Sequence, residues 1–376
     1  MRVFFATGEA SGDMLAASLA QAMREFVPGA AFAGIGGERM LEAGFTLTTR
    51  TTGWASMGPL EALRRIPPLL ANCLWHALWL RARPWDLVVL VDFGAYNLRL
   101  AKVLRALGYR QPILYYFPPG AWLDKPAQAR AVARNATPLT AFAHQRDFYH
   151  SLDLGSAYFG HPLASLVAPR PLRPAAPADG GIVAVLPGSR RAEIERHLPP
   201  LLAACARVAM RRPNASFVIS AADGEAATLI ARLLEHERAR TPGPSDVRIV
   251  RGARAALDAA DAAWIASGTA VLEAALREVP TVALYIISRA QAKIARRVWL
   301  REHPYVTLPN ILLGGVVVPE VLQDAATPER LADVLEALLI DPAPQLRAMR
   351  AVRAALGDPD ALRRAAAFAV ALGRAA

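Results

Sequence analysis

Two short stretches of this sequence combine residue types that favour a bound anion. In VAVLPGSRRAE (183–193), a β-branched apolar run ends at Pro187-Gly188. Ser189 then stands where it can N-cap a helix, with Glu193 in the first turns. A strand feeding a helix through a tight turn leaves unpaired backbone N–H groups at the helix start, and with the helix dipole these favour negative charge. Arg190 and Arg191 add positive charge in a fork suited to phosphate. ASGTAVLE (266–273) repeats the logic: AAWIA ends, Ser267-Gly268-Thr269 turns, and a helix begins. Its N–H groups and hydroxyls are placed to hold a pyrophosphate without a metal. Glu273, about one turn further on, is placed to accept ribose hydroxyls. The plainer alternatives are an ordinary βα turn with two solvated arginines and a well-capped helix with an exposed glutamate. Neither stretch has the Walker lysine pattern or GxGxxG.

In open parallel sheets, ligands bind beyond the carboxyl ends of the strands, so the residues following each strand are the candidates. The first half offers Glu9, Ser11, Asp92, Asn97, Trp122, His144 and His161; the second offers Ser189, Arg190, Asp223, Ser267, Thr269 and Tyr285. Two carboxylates and two histidines lie in the first half, and anion-binding turns lie in the second. That division fits acceptor activation in one domain and nucleotide binding in the other. His144 and His161 equally fit a structural role, and no His/Asp/Glu spacing marks a metal site.

These residues need strands that end at one edge. The pattern supplies them: strands at 2–7, 31–35, 87–91, 112–117, 139–142 and 157–159 alternate with helices in the first half. Strands at 182–186, 216–220, 247–250, 262–266 and 280–285 do so in the second. Residues 60–82 read as a helix interrupted by Pro67-Pro68. Four prolines in 166–180 mark a linker. The expected domains are 1–165, carrying the carboxylates of the acceptor side, and 181–345, carrying the anion turns. A C-terminal helix at 346–376 is placed to pack back on the first domain. The fold class is α/β: two doubly wound, Rossmann-like parallel sheets facing across a cleft, the GT-B arrangement.

A chain of 376 residues with 54% hydrophobic residues can build two cores. Its net charge of +11 suits phosphorylated substrates or anionic lipid. Zinc spacings, aromatic RNA-binding motifs and compact basic runs are missing, so nucleic acid is not expected as a partner. Two cysteines and the short apolar run after Met1 point to a cytoplasmic protein. No stretch reaches the roughly 18 apolar residues of a spanning helix.

The motifs GEASGD (8–13), GIGGERM (34–40), MGPLEAL (57–63), VDFGAYNLRLA (91–101), FGHPLA (159–164), LPGSRRAEI (186–194), ASGTAVLE (266–273), LPNILLG (308–314) and VVPEVLQ (317–323) occur in this order. In this the chain resembles the lipid-A-disaccharide synthases, an inverting GT-B family (glycosyltransferase family 19). The resemblance implies transfer of 2,3-diacylglucosamine from UDP to the 6-hydroxyl of 2,3-diacylglucosamine 1-phosphate. UDP-diacylglucosamine is then a substrate, and neither cofactor nor metal is expected. It implies Asp92 as general base and Glu9 as an acceptor-side acid. Partial burial of Asp92 is expected to raise its pKa towards the working range of a base. Gly188, Ser189, Arg190, Ser267, Gly268, Thr269, Glu273, Asn310, Glu320 and Gln323 fall in the implied donor motifs. Ser11, Asn97, Trp122 and His161 fall on the acceptor side.

Three acceptor-side departures stand out. Ala95 replaces a usual second aspartate, PPGAWLD (118–124) keeps one of two tryptophans, and AHQ (143–145) replaces PFE. A variant glycolipid acceptor therefore stays open beside the standard one. So do a UDP-sugar 2-epimerase of the same plan and a non-catalytic UDP-sugar-binding protein. On residues 60–82, Leu60, Leu63, Ile66, Leu69, Leu70 and Trp75 lie among arginines, a pattern suited to an interfacial helix pressed into a leaflet. The alternative is a core-facing helix. The membrane reading makes the protein peripheral on the inner face of the cytoplasmic membrane.

Overall fold

The computed structural model describes residues 1–51, 59–119, 125–170, 177–240, 244, 246–288, 292 and 304–375, without the side chains of 59–66, 95 and 240. The chain divides into two compact units, Met1–Leu166 with Leu356–Ala376, and Val167–Ala355.

In the first unit, β1 (Arg2–Ala6), β2 (Ala31–Gly36), β3 (Thr46–Arg50), β4 (Leu87–Val91), β5 (Ile113–Tyr116) and β6 (Thr137–Leu139) form a parallel sheet in the order β3-β2-β1-β4-β5-β6. The second unit holds β7 (Gly180–Leu186), β8 (Asn214–Ala221), β9 (Val247–Arg251), β10 (Ala262–Ala266), β11 (Thr281–Tyr285) and β12 (Glu320–Leu322), ordered β12-β11-β10-β7-β8-β9. Read from the first strand of each sheet, the two orders are the same. Central strands such as LVVLV (87–91) and AAWIA (262–266) are buried along their whole length, as helix-covered parallel strands must be. In each sheet the chain reverses its winding between the first and fourth strands, β1 beside β4 and β7 beside β10. Ligands of doubly wound sheets gather beyond that point.

Several elements differ from expectation. The helix Pro59–Arg81 runs on through Pro67 and Pro68. Both prolines are exposed, and burial of Cys73, Ala77 and Leu80 anchors the helix beyond them. The strand expected at 157–159 is a single bridge from Ala157 to Leu139. The segment expected as one C-terminal helix is two. Ala343–Ala355 stays with the second unit, where Arg353 donates to the carbonyl of Val167 and Gln345 joins Thr281 to Val317. After a turn at Gly357, Ala361–Arg374 lies with the first unit against the helix Ala10–Phe26. Its contact face is small: Ala365, Ala366, Ala369 and Gly373 are buried, and a Cβ on Gly373 would stand 2.2 Å from the methyl of Met1.

Candidate functional site

The turn after β7 is built around Glu193. The helix Arg191–Arg211 is capped by Arg190, where Ser189 is the expected cap. The chain is still extended at Arg190, which delays the helix by one residue and puts Glu193 at its third position, within reach of the turn. One Glu193 oxygen accepts from the N–H groups of Ser189 and Arg190, each at 3.3 Å, and the other lies 3.4 Å from the Arg190 guanidinium. Gly188 is required twice over. Its φ is +117°, and a Cβ would sit 2.6 Å from Glu193 Oε2. His197, fully buried one turn further along, was not singled out from the sequence. Its Nδ1 lies 2.7 Å from the Pro187 carbonyl, and its Nε2 accepts from the Ile286 N–H at 3.0 Å. The carbonyl contact fixes the proton on Nδ1. Burial holds the imidazole pKa below its ordinary value. The ring thus ties the turn after β7 to the chain leaving β11.

The turn after β10 is more open. Gly268 is exposed and caps the helix Thr269–Leu276 without any side-chain bond. Ser267 donates its hydroxyl to the Val306 carbonyl at 3.3 Å, and Thr269 is half-buried. Glu273 pairs at 3.3 Å with the buried Arg277, which also binds Asp258. Two donor-motif residues serve the backbone. The fully buried Asn310 donates to the Val318 carbonyl and to Glu320, and accepts from the N–H groups of Val317 and Val318, all at 2.8 Å. Glu320 accepts from Thr307 N and Oγ1 at 2.8 Å and from Val306 N at 3.0 Å, holding the chain that leads into the helix Leu308–Leu313. Gln323, at φ +53°, exchanges a pair of hydrogen bonds with Ile287. The two turns expected to hold an anion, after β7 and β10, flank the switch point of this sheet.

In the first unit the residues flanking the switch point are Glu9, after β1, and Asp92, after β4. The two loops interlock: a Cβ on Gly8 would stand 2.2 Å from the ring of Phe93. Asp92 and Phe93 are consecutive left-handed residues, φ +48° and +46°. Each such residue costs about 1–3 kcal/mol, and surrounding structure must over-determine it. Here the Asp92 N–H donates to Tyr116, and its carbonyl accepts from Tyr115 Oη at 3.0 Å and Asn97 Nδ2 at 2.9 Å. Asn97 also donates to the carbonyls of Ala6 and Val91, each at 3.1 Å. It therefore pins the ends of both switch-point strands from a fully buried position. Asp92 is exposed, where partial burial was expected. Glu9 and Ser11 are half-buried at the start of the helix Ala10–Phe26.

Asp13, in the same motif, is buried and accepts from the N–H groups of Gly37, Arg39 and Met40 at 2.7, 2.9 and 3.3 Å. One motif thus caps the next. Burial raises its pKa against the lowering by those bonds. His161 lies inside, between Phe117 and Phe142, with Nδ1 accepting from Leu163 N–H at 3.2 Å. Burial pushes its pKa down to about 3, so it is neutral. His144 is exposed. Trp122 lies outside the described residues.

The helix Pro59–Arg81 has two faces. Cys73, His76, Ala77 and Leu80 are buried, while Leu70, Leu74, Trp75 and Leu78 are 41%, 50%, 50% and 49% exposed. Their spacing of about four residues makes one apolar stripe, and Arg83 stacks on Trp79 at its end, 4.2 Å from the ring. Leu69 packs partly against the core. The side chains of Leu60, Leu63 and Ile66 lie outside the described residues. Among those residues no helix is long and apolar enough to cross a membrane.

Comparison with known proteins follows the same lines. A sequence model of the lipid-A-disaccharide synthetases matches residues 3–357. The lipid-A-disaccharide synthase of Azotobacter vinelandii is 37% identical, over 97% of this chain and 96% of its own length. That of Pseudomonas aeruginosa (strain UCBPP-PA14) is 35% identical, over 95% and 94%. Among solved structures, the spinosyn forosaminyltransferase SpnP is similar with a TM-score of 0.58 at 17% identity, covering 100% of this chain and 99% of that one. The Neisseria meningitidis UDP-GlcNAc 2-epimerase bound to UDP-GlcNAc has a TM-score of 0.56 at 12% identity, with both chains fully covered. The fold is thus the two-domain GT-B fold, which transferases and epimerases share.

Proposed function

We propose a function from the premise that this chain belongs to the lipid-A-disaccharide synthase family, and so is a glycosyltransferase. The reaction we assign is transfer of 2,3-diacylglucosamine from UDP to the 6-hydroxyl of 2,3-diacylglucosamine 1-phosphate, with inversion. The observation that carries it is what each unit holds at its own switch point: turns suited to an anion after β7 and β10 in one, carboxylates after β1 and β4 in the other.

In this reading the acceptor oxygen attacks the anomeric carbon while Asp92 takes its proton. The bond from that carbon to the diphosphate breaks, and its electron pair leaves with UDP. Arg190 and the helix starts at 190 and 268 offset the charge that develops on the diphosphate. Glu9 orients the acceptor, and Glu273 receives the ribose. Asn97, Asn310 and Glu320 hold the loops that carry these groups. The charge offset rests on protein groups alone, without a metal or cofactor.

The stripe Leu70, Leu74, Trp75 and Leu78 supports docking on the inner face of the cytoplasmic membrane, where diacylated substrates reside. The test is incubation with UDP-diacylglucosamine and the monosaccharide 1-phosphate, followed by mass spectrometry. One UDP per disaccharide 1-phosphate is expected. An epimerised UDP-sugar, or UDP binding without turnover, would overturn the assignment.

A further inference from the structure

We infer that Glu193 is an internal stand-in for the donor's diphosphate, occupying the turn after β7 until the nucleotide displaces it. The inference rests on the proposed donor role of that turn. The three donors a phosphate would use there are the N–H groups of Ser189 and Arg190 and the Arg190 guanidinium, and Glu193 contacts all of them. Its carboxylate lies where any side chain at position 188 would lie, in the hollow left by Gly188.

Two features set Glu193 apart from a simple helix cap. Asp13 also caps backbone N–H groups, but it is 4% exposed and its two shortest bonds are 2.7 and 2.9 Å. The Glu193 side chain is 16% exposed, and its contacts run from 3.3 to 3.4 Å, the loose end of the hydrogen-bond range. Asp13 is locked in place, whereas Glu193 is held loosely at the mouth of the turn. The turn also has a support that does not involve Glu193. His197 grips Pro187 and Ile286, so the carboxylate can swing out while the N–H groups keep their places. A carboxylate and a diphosphate cannot share these donors without opposing one another, and binding must therefore move Glu193.

The test is titration calorimetry of UDP against wild type and Glu193→Gln, with thermal unfolding to confirm that both are folded. Glutamine keeps an accepting oxygen and loses the charge. We expect it to bind UDP at least about fivefold more tightly, the factor for one unit charge opposing another about 4 Å away in water-like surroundings. Glu193→Ala, which removes the group altogether, should move affinity in the same direction. Equal or weaker UDP binding by both folded variants, with wild type binding normally, overturns this inference alone. A wild type that takes up neither UDP nor inorganic pyrophosphate overturns the donor assignment with it.

Discussion

Asp92 occupies a backbone conformation that asparagine and aspartate tolerate better than most residues, which makes Asp92→Asn a clean substitution. The variant keeps the φ of +48° and the bonds to Tyr115, Tyr116 and Asn97, all made by its backbone. It loses the negative charge of the carboxylate, and with it the proton acceptor of the proposed mechanism. Turnover should fall by at least about 10²-fold, with UDP affinity and melting temperature near wild type. If Asp92→Asn turns over normally while Glu9→Gln is inactive, the base is Glu9. Arg190→Ala should cost about 1.5–3 kcal/mol of UDP affinity by calorimetry, and unchanged affinity and turnover would remove Arg190 from the donor site. At this scale the sequence was legible where a residue's position follows from its place after a strand, as for Asp92 and the 187–190 turn. It was not legible where two distant segments must meet. Nothing local shows that Asn310 and Glu320 would spend their side chains on residues 306–318 or that His197 would reach Ile286.

The helix Pro59–Arg81 tests the same distinction one level up. Its apolar residues surround most of its circumference, so the sequence could not separate the face on the core from the face towards solvent. Packing separates them: Leu69 turns to the core, while Leu70, Leu74, Trp75 and Leu78 face outward. The membrane test therefore belongs on Leu74 and Leu78. The double variant Leu74→Ser/Leu78→Ser should lose most flotation with anionic vesicles while keeping its melting temperature, because neither side chain is in the core. Equal flotation by the folded variant would remove this face from membrane binding. The central strands were easier to read, since apolar runs such as 87–91 admit few other places. The short edge strand β3, TLTTR (46–50), is hidden in the sequence because four of its five residues are polar and it borders the sheet on one side only.

At the scale of the whole molecule, among the described residues three histidines, His76, His161 and His197, are buried in neutral form, each with its pKa held below 6.5 by burial. Unfolding lets each take up a proton once the pH falls below about 6.5, while the folded chain follows only at lower pH, for His161 not until about 3. Stability should therefore be full above that pH and decline as pH drops, by up to about 1.4 kcal/mol per pH unit for each histidine. Urea unfolding at pH 7.5 and 5.5 measures this. His161→Phe should flatten the decline for the first unit, and an unchanged slope would show that His161 does not drive it.

The helix Ala361–Arg374 completes the first unit, yet it is encoded after the whole of the second. On the ribosome the order of completion is thus inverted. Val167–Ala355 is contiguous and can close as soon as it emerges, while Met1–Leu166 waits with the apolar side of the helix Ala10–Phe26 uncovered. Of the two units, the one encoded first is the one finished second, and nascent chains stalled near residue 355 should carry a protease-resistant second unit beside a sensitive first one.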